Sequence, residues 1–304
     1  MKKILAILLV TLSLTVSAKE TVTLAYSWGA ADGAANFYRA LVEEANQQQS
    51  QYTFIFDAKP GAGGTVAANY TNNNPTNTVW LNSPSAFIRP NLFPESSHNI
   101  GDFRILIPVC TNNVIIESAK YKNWKEIPRD AKLSIGISGL GATTHLIALQ
   151  IVKNYPNMQI VPFKSSSESL LNALNGSVDL SVGFHTTSEQ YTRPGTVKQI
   201  YWLGQTGTHS VKGTELLTNQ GFSKDLANMS TPHEVFASRK MPETKFLEIR
   251  KILSDATNSK SVRSAMAVDN CAPIAQMSDT QINDWYNSQI VQWRRLTQGI
   301  NIDK

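Results

Sequence analysis

The sequence predicts an α/β fold, and three observations carry that prediction. Short β-rich apolar runs are followed by stretches with apolar residues at i, i+3, i+4 and i+7. Turns rich in glycine and hydroxyl residues stand directly after several of the strands. The alternation continues without a low-complexity linker, which is the pattern of βαβ units: a parallel sheet with helices on both faces.

The first stretch, 1–18, reads as lying outside the fold. Lys2 and Lys3 precede an apolar core over 4–16, and Val16-Ser17-Ala18 is a small-residue cleavage site. That is a secretory signal peptide with cleavage expected after Ala18, giving an exported chain. The apolar run is shorter than a membrane span, and no cysteine follows the cleavage site to carry a lipid.

Strands are expected over 21–26, 52–56, 79–81 and 104–109. Ala34, Phe37, Tyr38, Leu41, Val42 and Ala45 mark a one-faced helix after the first of them. Further on come a strand (133–137), a helix (142–153), a strand (159–163), a helix (167–174) stopped by Asn175-Gly176, and a strand (178–184). Strands at 200–203 and 235–237 complete the set. Two long helices follow, 242–256 and 279–296; the second carries Ile282, Trp285, Gln289, Trp293 and Leu296 on one face.

Composition excludes several functions. The 28 Lys and Arg stand against 23 Asp and Glu, an excess of three once Lys2 and Lys3 are set aside, and no basic run stands out. Nucleic-acid binding is thereby disfavoured. The two cysteines, Cys110 and Cys271, permit a disulfide in an exported chain; two buried free thiols are the alternative. Five histidines, none with a second ligand at close spacing, argue against zinc, and no metal or cofactor is expected.

Chemistry is concentrated in four turns: Trp28-Gly29-Ala30-Ala31, Pro60-Gly61-Ala62-Gly63-Gly64-Thr65, Ser83-Pro84-Ser85 and Ser138-Gly139-Leu140-Gly141-Ala142-Thr143-Thr144. Ligands of open α/β sheets bind just beyond the carboxyl ends of strands. Two of these turns lead into helices, whose first N–H groups favour anions. The phosphate motifs fail: Gly64 is followed by Thr65 rather than Lys-Ser/Thr, and Val66 occupies a position the dinucleotide fingerprint gives to glycine or alanine. A secreted Ser/His hydrolase is the rival class. Its nucleophile elbow is broken, because Leu140 ends Gly136-Ile137-Ser138-Gly139-Leu140 where glycine is required. His145 and His185 are read as structural or binding residues, and no catalytic residue is expected.

Several stretches resemble the Bug family, the extracytoplasmic solute receptors of tripartite tricarboxylate transporters. "KPGAGG" (59–64) is similar to the family's Asn-x-Pro-Gly-Ala-Gly-Gly signature, and "KLSIGISGLGATTHLIAL" (132–149) to its Lys-Leu-x-Tyr-Gly-x-x-Gly-x-Gly-Ser-x-x-His-Leu stretch. "IVPFKSSSESLLNALNGSVDLSVG" (160–183) resembles its Val-Pro-Tyr-Lys-Gly segment and the Gly-x-Val-Asp that follows, and Trp293 matches a recurrent tryptophan. The chain departs from the family at Pro75-Thr76-Asn77-Thr78, at Trp28-Gly29-Ala30-Ala31-Asp32 with Arg39 displaced, at Ser165 and at Gly183.

The resemblance implies a two-lobed periplasmic binding protein of type 2 that closes like a flytrap, with a discontinuous first lobe. Lobe one would be 19–107 plus 232–304 and lobe two 108–231, with crossing strands near 105–109 and 235–237. It implies a small organic anion, most simply a carboxylate, bound through backbone groups and water, then delivered to transporter membrane subunits by a monomeric receptor that is not an enzyme. A same-fold sensor feeding a signalling system is the alternative. The candidate ligand contacts are Trp28, Ala30, Gly63, Gly64, Thr65, Ser83, Ser85, Gly141, Ala142, Thr143, Thr144, Phe184 and His185, with Lys164 the nearest candidate cation.

Overall fold

The computed structural model describes residues 19–185, 187–188, 200–207, 214–227, 229–300 and 302. The expected signal peptide, 1–18, lies outside the described residues. From the start the chain runs β1 (Glu20–Tyr26), α1 (Ala34–Gln48), β2 (Tyr52–Ala58), α2 (Thr65–Asn73), β3 (Thr78–Asn82), α3 (Ser85–Leu92) and β4 (Phe103–Asn112). A second series follows: β5 (Val114–Ser118), β6 (Leu133–Ile137), α4 (Thr143–Val152), β7 (Met158–Pro162), α5 (Ser166–Asn175), β8 (Leu180–Phe184), β9 (Tyr201–Gln205) and α6 (Lys224–Ala227). The chain then returns as β10 (Thr231–Ser238), α7 (Glu243–Thr257), α8 (Lys260–Val268), β11 (Ala272–Pro273) and α9 (Asp279–Thr297).

Two sheets result, in the orders β11-β4-β10-β3-β1-β2 and β7-β6-β8-β5-β9. Each sheet with its helices forms one lobe. The strands are not all parallel as expected: β10 lies antiparallel between β3 and β4, and β5 lies antiparallel between β8 and β9. The cause is the shared path of β4 and β10. They stay paired from Phe103↔Ser238 to Asn112↔Thr231, so the chain leaves the first sheet at Asn113 rather than near residue 107, and it re-enters at Thr231.

Period-two alternation decides what faces what. Val79 and Leu81 of β3 face α1, α7 and α8, packing with Phe37, Leu41, Phe246 and Ile249. Trp80 faces the other way, against Phe87, Phe103, Phe236 and Trp293 of α3, β4, β10 and α9. Fully burying such side chains contributes about 1.5–3 kcal/mol each. On β4, Phe103 and Ile105 point to the Trp80 side but Ile107 and Val109 to the α1 side. The register explains the switch: Val235 pairs with Ile107 and Phe236 with Ile105, so Leu106 is an extra residue, a bulge that exchanges the faces.

Local signals fix the helix ends. Ser165 Oγ caps α5 by accepting from the Glu168 N–H, and Gly176 ends it with φ 85°. Ser278 and Gln281 cap α9 reciprocally. Cys110 on β4 and Cys271 beside β11 are joined by a disulfide across 161 residues, with Cα atoms 5.5 Å apart. It holds the two-residue edge strand β11 to β4.

Candidate ligand-binding cleft

The turns named by the sequence converge where the two lobes meet. Trp28, Ser83 and Phe184 line one small cavity together with Tyr26, Asp32, Ala34, Asn112, Thr187 and His233. Its free volume is about 10 Å³, room for about one water centre, so the lobes are shut on it. None of these lining residues is Lys or Arg. A larger open groove of about 910 Å³ lies elsewhere; its described lining, between Lys122 and Phe222, is drawn from the second lobe alone.

The two glycine-rich turns differ in what they offer. In the first lobe the Gly64 N–H donates to the Gly61 carbonyl, and the Thr65 N–H to Ala62. These donors, expected for the ligand, are spent inside the turn. The Thr65 hydroxyl is 3.1 Å from His98 Nδ1. In the second lobe, α4 begins after Ala142 with no side-chain cap, so the N–H groups of Thr143 and Thr144 have no acceptor within the helix. The Thr143 hydroxyl, 1% exposed, has no protein partner. Thr144 Oγ1 is taken by the Ser138 N–H and hydroxyl.

Other expected residues sit as follows. Ser85 opens α3 with its hydroxyl 3.4 Å from that of Ser83. Ala30 is exposed and its carbonyl accepts from Arg39, which places the residue at the rim. His185 packs against Trp202 with the rings tilted at 56°, and its Nδ1 lies 2.8 Å from Asn270 Nδ2 of the first lobe. His145 Nδ1 accepts the Gly141 N–H, and Ser138 bonds Thr144. No serine–histidine pair arises from these residues, so the hydrolase arrangement is not built.

Several cleft residues carry no signal in the sequence. Asn82, beside Gly64, is buried with neither end of its amide partnered, and Asn112 Oδ1 is likewise buried without a partner. Asp32 reaches across the lobes: its Oδ1 accepts from the Ser167 hydroxyl at 2.8 Å and the Ser167 N–H at 3.3 Å, at the positive start of α5. Burial pushes Asp32 up to about 6, against the lowering effect of those bonds. Arg89 on α3 donates from Nη1 to the Leu140 carbonyl of the other lobe at 2.6 Å. Its side chain runs against both Gly63 and Gly141, whereas Lys164 is exposed.

Buried titratable groups set a pH dependence. Burial pushes Glu117 and Glu234 up to about 8, and His98, His145 and His233 down to about 4, 4 and 3. The folded acids bind protons that the unfolded chain has lost, so they stabilise at low pH and cease to as pH rises through about 8. The histidines act oppositely, but only below their ordinary value of 6.5. From pH 6.5 to 8.5 the two glutamates dominate, and thermal stability should fall. Melting curves across this range check it; Glu117→Gln with Glu234→Gln should flatten the trend, and a rise in the wild type would contradict it.

Two lobes shut over buried polar groups at the carboxyl ends of strands define a solute-binding protein. The chain belongs to the tripartite tricarboxylate transporter family of receptors (TctC), matching it over residues 37–302. The periplasmic binding protein BugD superposes with a TM-score of 0.82 at 18% identity, covering 92% of this chain and 97% of that one. The malate-bound MatC of Rhodopseudomonas palustris gives 0.80 at 16% identity, with 92% and 99% covered. An adipate-bound protein of R. palustris gives 0.80 at 18%, with 92% and 96% covered. No curated protein matches the sequence significantly. The family is one of receptors and BugD is a periplasmic binding protein; the chain is a receptor, not an enzyme. No helix among the described residues is long and apolar enough to cross a membrane.

Proposed function

We propose that this receptor, exported by cleavage after Ala18, captures a small carboxylate between its lobes and delivers it to the membrane subunits of a tripartite tricarboxylate transporter. The observation that carries the reading is the set of buried groups without protein partners at the cleft turns and strand ends: the Thr143 hydroxyl, the Asn82 amide and Asn112 Oδ1. Leaving such groups unpaired costs about 1–3 kcal/mol each, a cost that a bound anion and its waters remove. The malate and adipate of the two R. palustris proteins are ligands of the chemistry expected here.

The carboxylate sits against the free N–H groups at the start of α4 and the Thr143 hydroxyl, with the Asn82 amide facing it from the first lobe. The 10 Å³ cavity cannot admit a four-carbon acid without opening, so binding proceeds from parted lobes. A thermal-shift screen against mono-, di- and tricarboxylates tests the reading. A true ligand at about 100 times its Kd adds about 2.7 kcal/mol; a screen in which no acid raises Tm rejects the proposal. Thr143→Val keeps the shape and removes the hydroxyl, and should weaken the best acid about tenfold, ~1.4 kcal/mol, by titration calorimetry. Unchanged affinity in that variant would move the anion away from α4.

A further inference from the structure

Arg89 stands where the two glycine turns meet. A β-carbon on Gly63 would come within 2.9 Å of Arg89 Cδ, and one on Gly141 within 2.8 Å of its Cβ and Cγ, so the side chain runs between them. The residue is 7% exposed. Its Nη1 has the Leu140 carbonyl, its Nη2 lies 3.5 Å from the Ser96 hydroxyl, and its Nε is sealed from solvent without an acceptor. Among the described residues no carboxylate pairs with it.

Arg89 lies in the last turn of α3, whose negative end favours it, but the surroundings from the other elements add positive potential. Helices α2 and α4 both begin at this junction, at Thr65 and Thr143, and neither has a side-chain cap. Their first turns carry the positive ends of the helix dipoles. The Thr143 hydroxyl is a further buried donor without a partner. The nearby His98 and His145 are held neutral by burial, helped by the Arg89 charge itself. A buried cation facing two positive helix ends, with neutral oxygens and the Phe93 ring (5.0 Å to its centroid) as partners, lacks a carboxylate counter-charge.

We propose that Arg89 is the charge-selecting residue of this receptor: an anionic group of the ligand supplies the missing counter-charge when the lobes shut, so the cleft prefers dianions over monoanions of the same shape. The inference takes the ligand's identity as a carboxylate from the reading above, but the charge requirement holds for any anion. Arg89 thereby makes closure over an uncharged solute unfavourable, while the Leu140 bond keeps the guanidinium at the lobe boundary.

The test uses the full mature protein, with malate, its monoamide and sulfate as probes. Arg89→Gln removes the charge and keeps a donor for Leu140; Arg89→Lys keeps the charge. By calorimetry Arg89→Gln should bind malate at least about tenfold more weakly, lose the preference for malate over the monoamide, and show a shallower salt dependence. Arg89→Lys should stay within about threefold of wild type. Sulfate, against chloride at matched ionic strength, should raise Tm more in wild type and Arg89→Lys than in Arg89→Gln. If malate fails to bind but the sulfate pattern holds, the carboxylate reading falls and the charge-selecting role stands. Equal responses of wild type and Arg89→Gln to both anions would overturn it, as would a wild type indifferent to both.

Discussion

Gly63→Val should weaken binding of the best carboxylate more than about 100-fold, equivalent to ~2.7 kcal/mol. Gly63 has φ +58°, a left-handed conformation that costs a β-branched residue about 1–2 kcal/mol. More importantly, its β-carbon would stand 2.9 Å from the Leu140 carbonyl of the opposite lobe and 2.9 Å from Arg89 Cδ. Valine would hold the lobes apart at the point where α4 must approach the ligand. Small-angle scattering should show the ligand-induced decrease in radius of gyration in wild type and not in the variant, with circular dichroism confirming that it folds. Binding within threefold of wild type, with closure intact, would show that the turns need not touch.

Loss of the disulfide should have the largest effect on stability. Closing 161 residues of chain restricts the unfolded state by about 5 kcal/mol in the chain-entropy account, and native disulfides are worth about 2–5 kcal/mol in practice. Cys110→Ala with Cys271→Ala should therefore lower Tm by roughly 10 °C. Both cysteines are buried in the α1-side core, so alanine leaves small voids and no unpaired polar group. Calorimetry of the double variant beside oxidised wild type measures the effect. A Tm unchanged to within about 2 °C would mean that β11 holds its edge without the bond.

Much of the frame was legible because its signals are periodic. The one-faced pattern from Ala34 to Ala45 found α1, and Asn175-Gly176 found the end of α5. Other elements were hidden for physical reasons. The run Val114–Ser118 is wholly buried and separated from β4 by a single residue, so it blends into the preceding strand. Helix α3 contains Pro90, which breaks the helical reading, and this helix carries Arg89. The antiparallel course of β10 depends on the pairing of β4 with a segment more than a hundred residues later, which periodicity cannot report. In the cleft, the glycines announced the turns, but they did not reveal that Gly64 and Thr65 spend their N–H groups internally. Asn82 and Asn112 are single polar residues at strand ends, indistinguishable in sequence from the start of a loop.

The strand order has a consequence for how the chain assembles. All five strands of the second sheet lie between Val114 and Gln205, so that lobe is complete in sequence before β10 exists. The first sheet is not: β3 and β4 never touch directly, and the slot between them is filled by Thr231–Ser238. A chain still emerging at residue 230 therefore holds one finished lobe and one with a gap at its centre, exposing the edges of β3 and β4. Unpaired edges recruit other strands. The vulnerable interval in this protein's life is the wait for β10, and a nascent chain stalled there would need its gap shielded until the last quarter arrives.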